Sequence, residues 1–267
     1  MSPQVFSILS TLVGERAGLH FDATQASIFA EKAGGRAVEA GFESLLDYYY
    51  YLRYDPTSGP ELNKLVEALV VHETYLLREL PPLETAVSTL VIPRLAEGRR
   101  PRIWCAAAAT GEEAHTFAML LASRGLLDEV EIIASDVSVA ALVGARSGRL
   151  GRRSVGADLP PFAARWLAIA ARAVVVDERI VKAIDWRRIN LLDAATIDAL
   201  GTFDVILCRN VLIYFDDATT RTVVERLAAR LRVGGALLVG VSESLLRFET
   251  SLDCEERNGS FLYRKAS

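Results

Sequence analysis

The chain has 267 residues, 51% of them apolar and 24% charged, with a formal net charge of −4. This composition excludes a disordered or collagen-like chain, and the acidic balance argues against a generic nucleic-acid binder. Three scattered cysteines, Cys105, Cys208 and Cys254, form no C-x-x-C pair, which predicts reduced thiols in a cytoplasmic protein rather than a disulfide framework.

The first part reads as all-helical. Val5, Ile8, Leu9, Leu12 and Val13 recur at helical spacing. Similar patterns cover about 23–33, 42–52 and 59–79, separated by the turn signals "AGG" and "DPTSGP". Residues 1–80 hold six basic and eleven acidic side chains, so this domain, read over 1–85, is acidic. "VVHETYLLREL" (70–80) is expected to close its last helix, with Thr74 and Arg78 on one face and Pro81-Pro82 ending it. The chain start lacks a basic n-region and cleavage site, and no apolar run reaches the ~18–20 residues that cross a bilayer. His20, His72 and His115 have no cysteines nearby, so no metal site is expected.

From about residue 100, within a second domain over 86–267, short apolar runs alternate with helices. "RIWCAA" (102–107) reads as a strand and 111–124 as a helix. "VEIIAS" (130–135) is a strand followed by a helix over 138–147. "FDVILC" (203–208), a helix over 217–231 and "GGALLVGV" (234–241) continue the pattern, and "SFLYRK" (260–265) reads as an edge strand. Such alternation predicts an α/β fold with a parallel sheet and right-handed crossovers. It lapses over about 150–188, where "RAVVVDERIVKAIDW" suggests a small antiparallel β insertion, a hairpin turning at Asp177-Glu178.

Ligands of parallel sheets bind outside the carboxyl ends of the strands. After the first strand comes "CAAAATGEEA" (105–114), whose small residues allow close backbone approach. Glu112 and Glu113 there either complement the helix dipole or meet a cationic ligand. After the second strand stands Asp136, an N-cap or an acid that holds ribose hydroxyls. "CRNVLIYFD" (208–216) comes after the third strand and offers Asn210 and Tyr214; "RINLLD" offers Asn190.

Together these segments resemble the chemotaxis receptor methyltransferases (CheR-type), which methylate receptor glutamates with S-adenosylmethionine. "HETYLLRE" looks like the family's N-x-T-x-F-F-R-[ED] segment, and "RIWCAAAATGEEAHTFAMLL" like its first strand and turn. "ASDVSVAALVGARSGRL", "INLLD", "FDVILCRNVLIYFD", "LRVGGALLVGVSESL" and "GSFLYRK" come in the family's order. The resemblance implies a Rossmann-like methyltransferase domain behind a helical N-terminal domain. It assigns cofactor contacts to His72, Thr74, Arg78, Ala107, Glu113, Asp136, Asn190, Leu191, Asn210 and Val211. Arg78 and Tyr214 would orient the acceptor. His72 stands where the family has Asn, and Leu76 and Leu77 replace its paired aromatics.

The residues agree with that chemistry. A sulfonium that also bears an ammonium suits carboxylates, whereas NAD or ATP would want an anion nest. An acceptor glutamate, with a pKa of ~4.3, is ionised at neutral pH and needs no general base. The absence of a Ser-His-Asp triad or metal cluster is therefore consistent with an enzyme.

The resemblance also implies a chemoreceptor cytoplasmic domain or related protein as partner, and a monomer is expected. Family members dock on receptors through a basic face of the N-terminal helices, but that region is acidic here. Arg146, Arg149, Arg152 and Arg153 instead form a basic cluster, a surface for an acidic partner or a solvated loop. Binding of a receptor's C-terminal tether peptide is not expected, because the Asp177-Glu178 turn is short and lacks glycine. Two alternatives stand beside glutamate methylation: a methyltransferase of a small carboxylate or other metabolite, and a non-catalytic cofactor-binding module.

Overall fold

The structure, a computed structural model, describes residues 1–156 and 159–266. Its contacts divide into two compact units, Met1–Val71 with Ile213–Thr220 and His72–Leu212 with Arg221–Ser267.

The first unit is built on four helices: α1 (Pro3–Ala17), α2 (Ala26–Glu39), α3 (Leu45–Tyr54) and α4 (Gly59–Leu69). Ser2 caps α1 by accepting from the Val5 N–H, and Pro3 occupies the first turn, where no donor is missed. Leu9, Val13, Phe29, Tyr48 and Leu65 are fully buried between the helices. Residues 213–220 join this unit through a bridge between Leu19 and Phe215 and a bond from the His20 N–H to the Tyr214 carbonyl at 2.8 Å.

The helix expected over 59–79 stops at Leu69. Val70 turns extended (ψ 154°) and 70–79 is irregular, with Leu77 (φ 65°) and Glu79 (φ 47°) left-handed. Two of the segment's donors find partners far along the chain: the Leu76 N–H bonds the Ser154 carbonyl (2.7 Å), and the Leu77 N–H bonds Thr116 Oγ1 (3.0 Å). Thr74 and Arg78 therefore share no helix face. Pro81-Pro82 do not end a helix but open α5 (Leu80–Ala86), because the first turn has no bond for their missing N–H groups to lose. A π-helical turn (Val87–Val91) leads into α6 (Ile92–Ala96). Pro93 cannot donate to the carbonyl of Thr89, which is where the helix widens. Leu83, Ala86, Val87 and Leu90 share a core with Ile103 and Val205, so the division falls after Val71 rather than near 85.

The second unit continues with β1 (Arg102–Ala106), α7 (Glu112–Ser123), β2 (Glu131–Asp136), α8 (Val139–Ser147), β3 (Arg149–Gly151), α9 (Pro161–Ala164), β4 (Leu167–Ile169), β5 (Ala173–Val176), α10 (Glu178–Lys182), β6 (Ile184–Arg188), α11 (Ala194–Asp198) and β7 (Phe203–Cys208). After α12 (Asp217–Arg230) come β8 (Leu231–Leu238), β9 (Asp253–Arg257) and β10 (Ser260–Arg264). Seven strands form one sheet in the order β6-β2-β1-β7-β8-β10-β9, parallel from β6 to β8. The fold is Rossmann-like α/β, and the strand order reverses beside β1, the place where such sheets open a crevice. "SFLYRK" is not the edge: β10 pairs antiparallel with both β8 and β9, which leaves β9 outermost.

The β insertion is a separate three-stranded antiparallel sheet, β3-β5-β4. The expected hairpin across Asp177-Glu178 does not form. Asp177 caps α10 by accepting from the Arg179 N–H at 2.8 Å; Val174–Val176 lie in β5, Ile180 and Val181 in α10, and Ile184 in β6 of the other sheet. The turn on which the expectation against tether binding rested is therefore a helix start. Among the described residues, no helix is long and apolar enough to cross a membrane.

Candidate functional site

Parallel register sets the site. Ala106 pairs with Ser135 on one side and Cys208 on the other, so β1, β2 and β7 end in one row. The loops that leave these three strands therefore converge at the head of the sheet.

After β1 the backbone makes a tight turn through three left-handed residues, Ala107 (φ 56°), Ala109 (φ 48°) and Gly111 (φ 93°). Such φ values cost a residue with a Cβ about 1–3 kcal/mol, and they persist where surrounding bonds fix them. The fixing bonds are present: the Ala108 N–H reaches the Ser135 carbonyl at 2.8 Å, and the Ala109 N–H reaches Asp136 Oδ2 at 2.9 Å. A Cβ on Gly111 would lie 2.7 Å from the Trp186 ring and 2.8 Å from Ala145, so only glycine fits there.

Asp136, buried at the end of β2, is not a helix cap; Ser138 caps α8 by accepting from the Ala141 N–H. Asp136 Oδ1 accepts from the Ser138 N–H at 2.9 Å. A carboxylate offers about four acceptor sites, so a ribose diol fits it alongside these backbone donors. The Asp136 carbonyl takes the Ile189 N–H at 3.0 Å, which brings Asn190 and Leu191 to the same end of the sheet. Asn190 Oδ1 folds back on the Leu192 N–H, and Arg226 holds the Leu191 and Leu192 carbonyls.

The two glutamates at the start of α7 part ways. Glu112 is only 2% exposed and accepts from Thr110 Oγ1 (2.6 Å) and Ser154 Oγ (2.8 Å), an internal tie. Glu113 turns to the β7 side, where Arg209 Nη1 donates to its Oε2 at 2.8 Å. Oε1 of Glu113 has no protein donor among the described residues. Burial raises the Glu113 carboxyl above its ordinary range, and Arg209 offsets part of that rise.

Arg209 itself comes just after a strand that is buried along its whole length, and its side chain is 1% exposed. Its Nη2 donates to Glu79 Oε2 (2.7 Å) and to the carbonyls of Arg78 (3.1 Å) and Glu79 (3.2 Å). Partial burial works against ionised Glu79, yet the Arg209 guanidinium holds its carboxyl below the usual range. Asn210 is left-handed (φ 58°), and its N–H donates to Glu243 Oε2 at 2.6 Å. Gly240 also donates to that oxygen, and a Cβ on it would meet Asn210 Nδ2 at 2.5 Å.

The expected residues thus gather in two groups. Ala107, Asp136, Asn190 and Leu191 flank the ends of β1, β2 and β6, while Glu113, Asn210 and Val211 flank β7 with the 72–79 segment. In that segment Arg78 donates to the Glu73 carbonyl at 3.0 Å and lies 5.6 Å from the Tyr75 ring centre. Thr74 and His72 are half-buried, and no partner of His72 Nε2 is found among the described residues. Tyr214 belongs to the helical unit. Sequence reasoning missed Arg209, Glu79 and Glu243. One signal was available for Arg209: a charged residue at the exit of an all-apolar strand must be paired to be buried.

The chain matches a family model, "CheR methyltransferase, SAM binding domain", over residues 72–259. The chain belongs to the CheR methyltransferase family. It is 33% identical to chemotaxis protein methyltransferase 2 of Vibrio cholerae over 244 residues, 88% of this chain and 84% of that one. A chemotaxis protein methyltransferase of Vibrio parahaemolyticus is 32% identical over 74% of each chain. The probable biofilm formation methyltransferase WspC of Pseudomonas aeruginosa is 33% identical over 82% of this chain, which spans about half (52%) of that protein.

The cofactor of this CheR family domain is S-adenosylmethionine, and the chemistry of the donor set fits it. The turn at 107–111 carries only small side chains, and at Gly111 none fits. Three carboxylates, Glu79, Glu113 and Glu243, meet at the head of β1 and β7 and outnumber the guanidinium groups of Arg209 and, in the flanking segment, Arg78. That balance suits a nucleoside carrying positive charge and would repel a phosphate.

Proposed function

We propose that this CheR-family protein transfers the methyl group of S-adenosylmethionine to glutamate side-chain carboxylates of a chemoreceptor-type protein, acting as a monomer in the cytoplasm. The observation that supports the reading is the acidic end of the sheet, where Asp136 holds the turn after β1 and Glu113 stands in the first turn of the helix that follows. When bound there, S-adenosylmethionine supplies an electrophilic methyl carbon on a sulfonium.

The protein's own residues then have only to bind, align and exclude water, because an ionised glutamate is already a nucleophile. Asp136 holds the ribose, Glu113 the ammonium end, and Asn190, Leu191, Asn210 and Val211 frame the adenosine. His72, whose Nε2 has no partner among the described residues, and Thr74 serve the methionine end. Arg78 orients the acceptor carboxylate by its charge, and Tyr214 helps to position the acceptor. No proton needs to move, so positioning accounts for the rate.

A basic surface supports an acidic protein partner. Between 146 and 188 the sequence holds ten Arg and Lys residues against four acidic ones, in a chain whose net charge is −4. Arg146, Arg149, Arg152 and Arg153 are all exposed. A relative named as a chemotaxis protein methyltransferase supports a target in chemotaxis signalling. Incubation of the protein with methyl-labelled cofactor and an extract of its source cells tests the reading. A labelled protein band that releases methanol in mild alkali is expected; label found only in low-molecular-weight product would replace the receptor with a metabolite.

A further inference from the structure

One guanidinium serves two carboxylates at the head of the sheet. Arg209 gives Nη1 to Glu113 and Nη2 to Glu79, and it holds the carbonyls of Arg78 and Glu79 as well. Glu79 is placed for this by a left-handed backbone (φ 47°), a conformation rare for a residue with a Cβ. Its carboxylate takes the Val241 N–H at 3.2 Å and faces Asn210 Nδ2 at 3.5 Å, so it is fixed from three sides.

Were Glu79 neutral, Arg209 and Glu113 would form a closed, mutually neutralised pair. A second cation would then gain little from Glu113. With Glu79 ionised, Arg209 is shared, and the trio of Glu79, Arg209 and Glu113 carries one net negative charge. Glu113 Oε1, without a protein donor among the described residues, is the atom on which that charge can be used.

We propose that Glu79 is a positioning residue for cofactor binding: by neutralising Arg209 it keeps the charge of Glu113 available to the ammonium group of S-adenosylmethionine. This rests on the reading that Glu113 meets that ammonium. The same contacts also tie Arg78, through its carbonyl, to the cofactor end of the site.

Calorimetric titration of the full chain with two ligands separates this role from a structural one. S-adenosylhomocysteine carries the ammonium, and 5′-methylthioadenosine is the same nucleoside thioether without the amino-acid end. Glu79→Gln is expected to weaken S-adenosylhomocysteine about ten- to a hundredfold, the worth of a charged hydrogen bond, and to leave methylthioadenosine unchanged. Glu113→Gln is expected to show the same selective loss. If Glu113→Gln weakens both ligands equally or neither, the underlying ammonium reading fails. If Glu113→Gln is selective but Glu79→Gln is not, only the role of Glu79 is overturned. Should Glu79→Gln not fold, Glu79→Asp decides: its shorter carboxylate draws less on Arg209, so a partial selective loss supports the role, and an equal or absent change overturns it.

Discussion

The backbone N–H of Ala109 donates to Asp136 Oδ2 at 2.9 Å, so the turn after β1 and the exit of β2 are one hydrogen-bonded object. Asp136 fixes a strained turn, and on the proposed function it also holds a ribose. Asp136→Ala leaves the N–H groups of Ala109 and Ser138 without their acceptor, at a cost of about 1–3 kcal/mol each. Cofactor affinity should fall by at least about tenfold in the same variant. Chemical denaturation and calorimetric titration, run on the same preparation, read both losses; a variant losing neither would remove Asp136 from the site.

Gly111 is the position at which the turn tolerates no side chain. Gly111→Ala would place a Cβ 2.7 Å from the Trp186 ring at φ 93°. Both strain and overlap act, so a loss of about 2–4 kcal/mol in unfolding free energy is expected. Equilibrium urea unfolding checks it, and stability equal to the parent chain would mean that the turn is looser than its contacts imply.

His115 carries a pH signature. It is fully buried in α7 with its ring edge-on to Trp186, and burial pushes its pKa down to about 4 from 6.5. Between those values the unfolded chain binds a proton that the native chain does not. Stability is therefore lost as pH falls through this window, by up to about 1.4 kcal/mol per pH unit. Above the window His115 contributes no slope. Replacing it with leucine removes the effect, so the stability of the parent relative to His115→Leu should decline between about pH 6.5 and about pH 4.5. A difference that stays constant across that range would contradict the neutral, buried imidazole.

Arg78 sits between two left-handed residues, Leu77 and Glu79, in a segment tied down at three places. Such clamping fits a side chain that must be aimed. Arg78→Ala is expected to lower kcat for methyl transfer by about a hundredfold or more with the fold retained. Steady-state assays with the cytoplasmic fragment of a chemoreceptor from the protein's source cells test this, with circular dichroism as the folding control. Tyr214→Phe in the same assay examines the proposed acceptor role; turnover at the parent level in either variant would remove that residue from the reaction.

Much of this arrangement was legible in the chain itself. The alternation of apolar runs and helices, a period-based signal, placed β1, β2 and β7 and so the residues after them. What misled was local pattern without tertiary partners. "HETYLLRE" has helical spacing, yet Ser154 and Thr116 take the N–H groups of Leu76 and Leu77 and leave a loop. "VVVDERIV" alternates like a hairpin, yet Asp177 caps a helix and β6 crosses to the parallel sheet. The strand-exit position of Arg209 was a signal, but its pairing with Glu79 and Glu113, and that of Glu243 with Asn210, join residues far apart along the chain and could not be read from local pattern.

The central claim, methyl transfer to a receptor glutamate, is tested most directly by mapping the product. The purified protein is incubated with methyl-labelled S-adenosylmethionine and the cytoplasmic fragment of a chemoreceptor from the same cells, and the labelled peptides are sequenced by mass spectrometry. The methyl is expected on glutamate side chains, released as methanol by mild base and absent when Arg78→Ala or Asp136→Ala replaces the parent. A base-stable methyl on another residue type, or no transfer by a chain that binds the cofactor tightly, would contradict it.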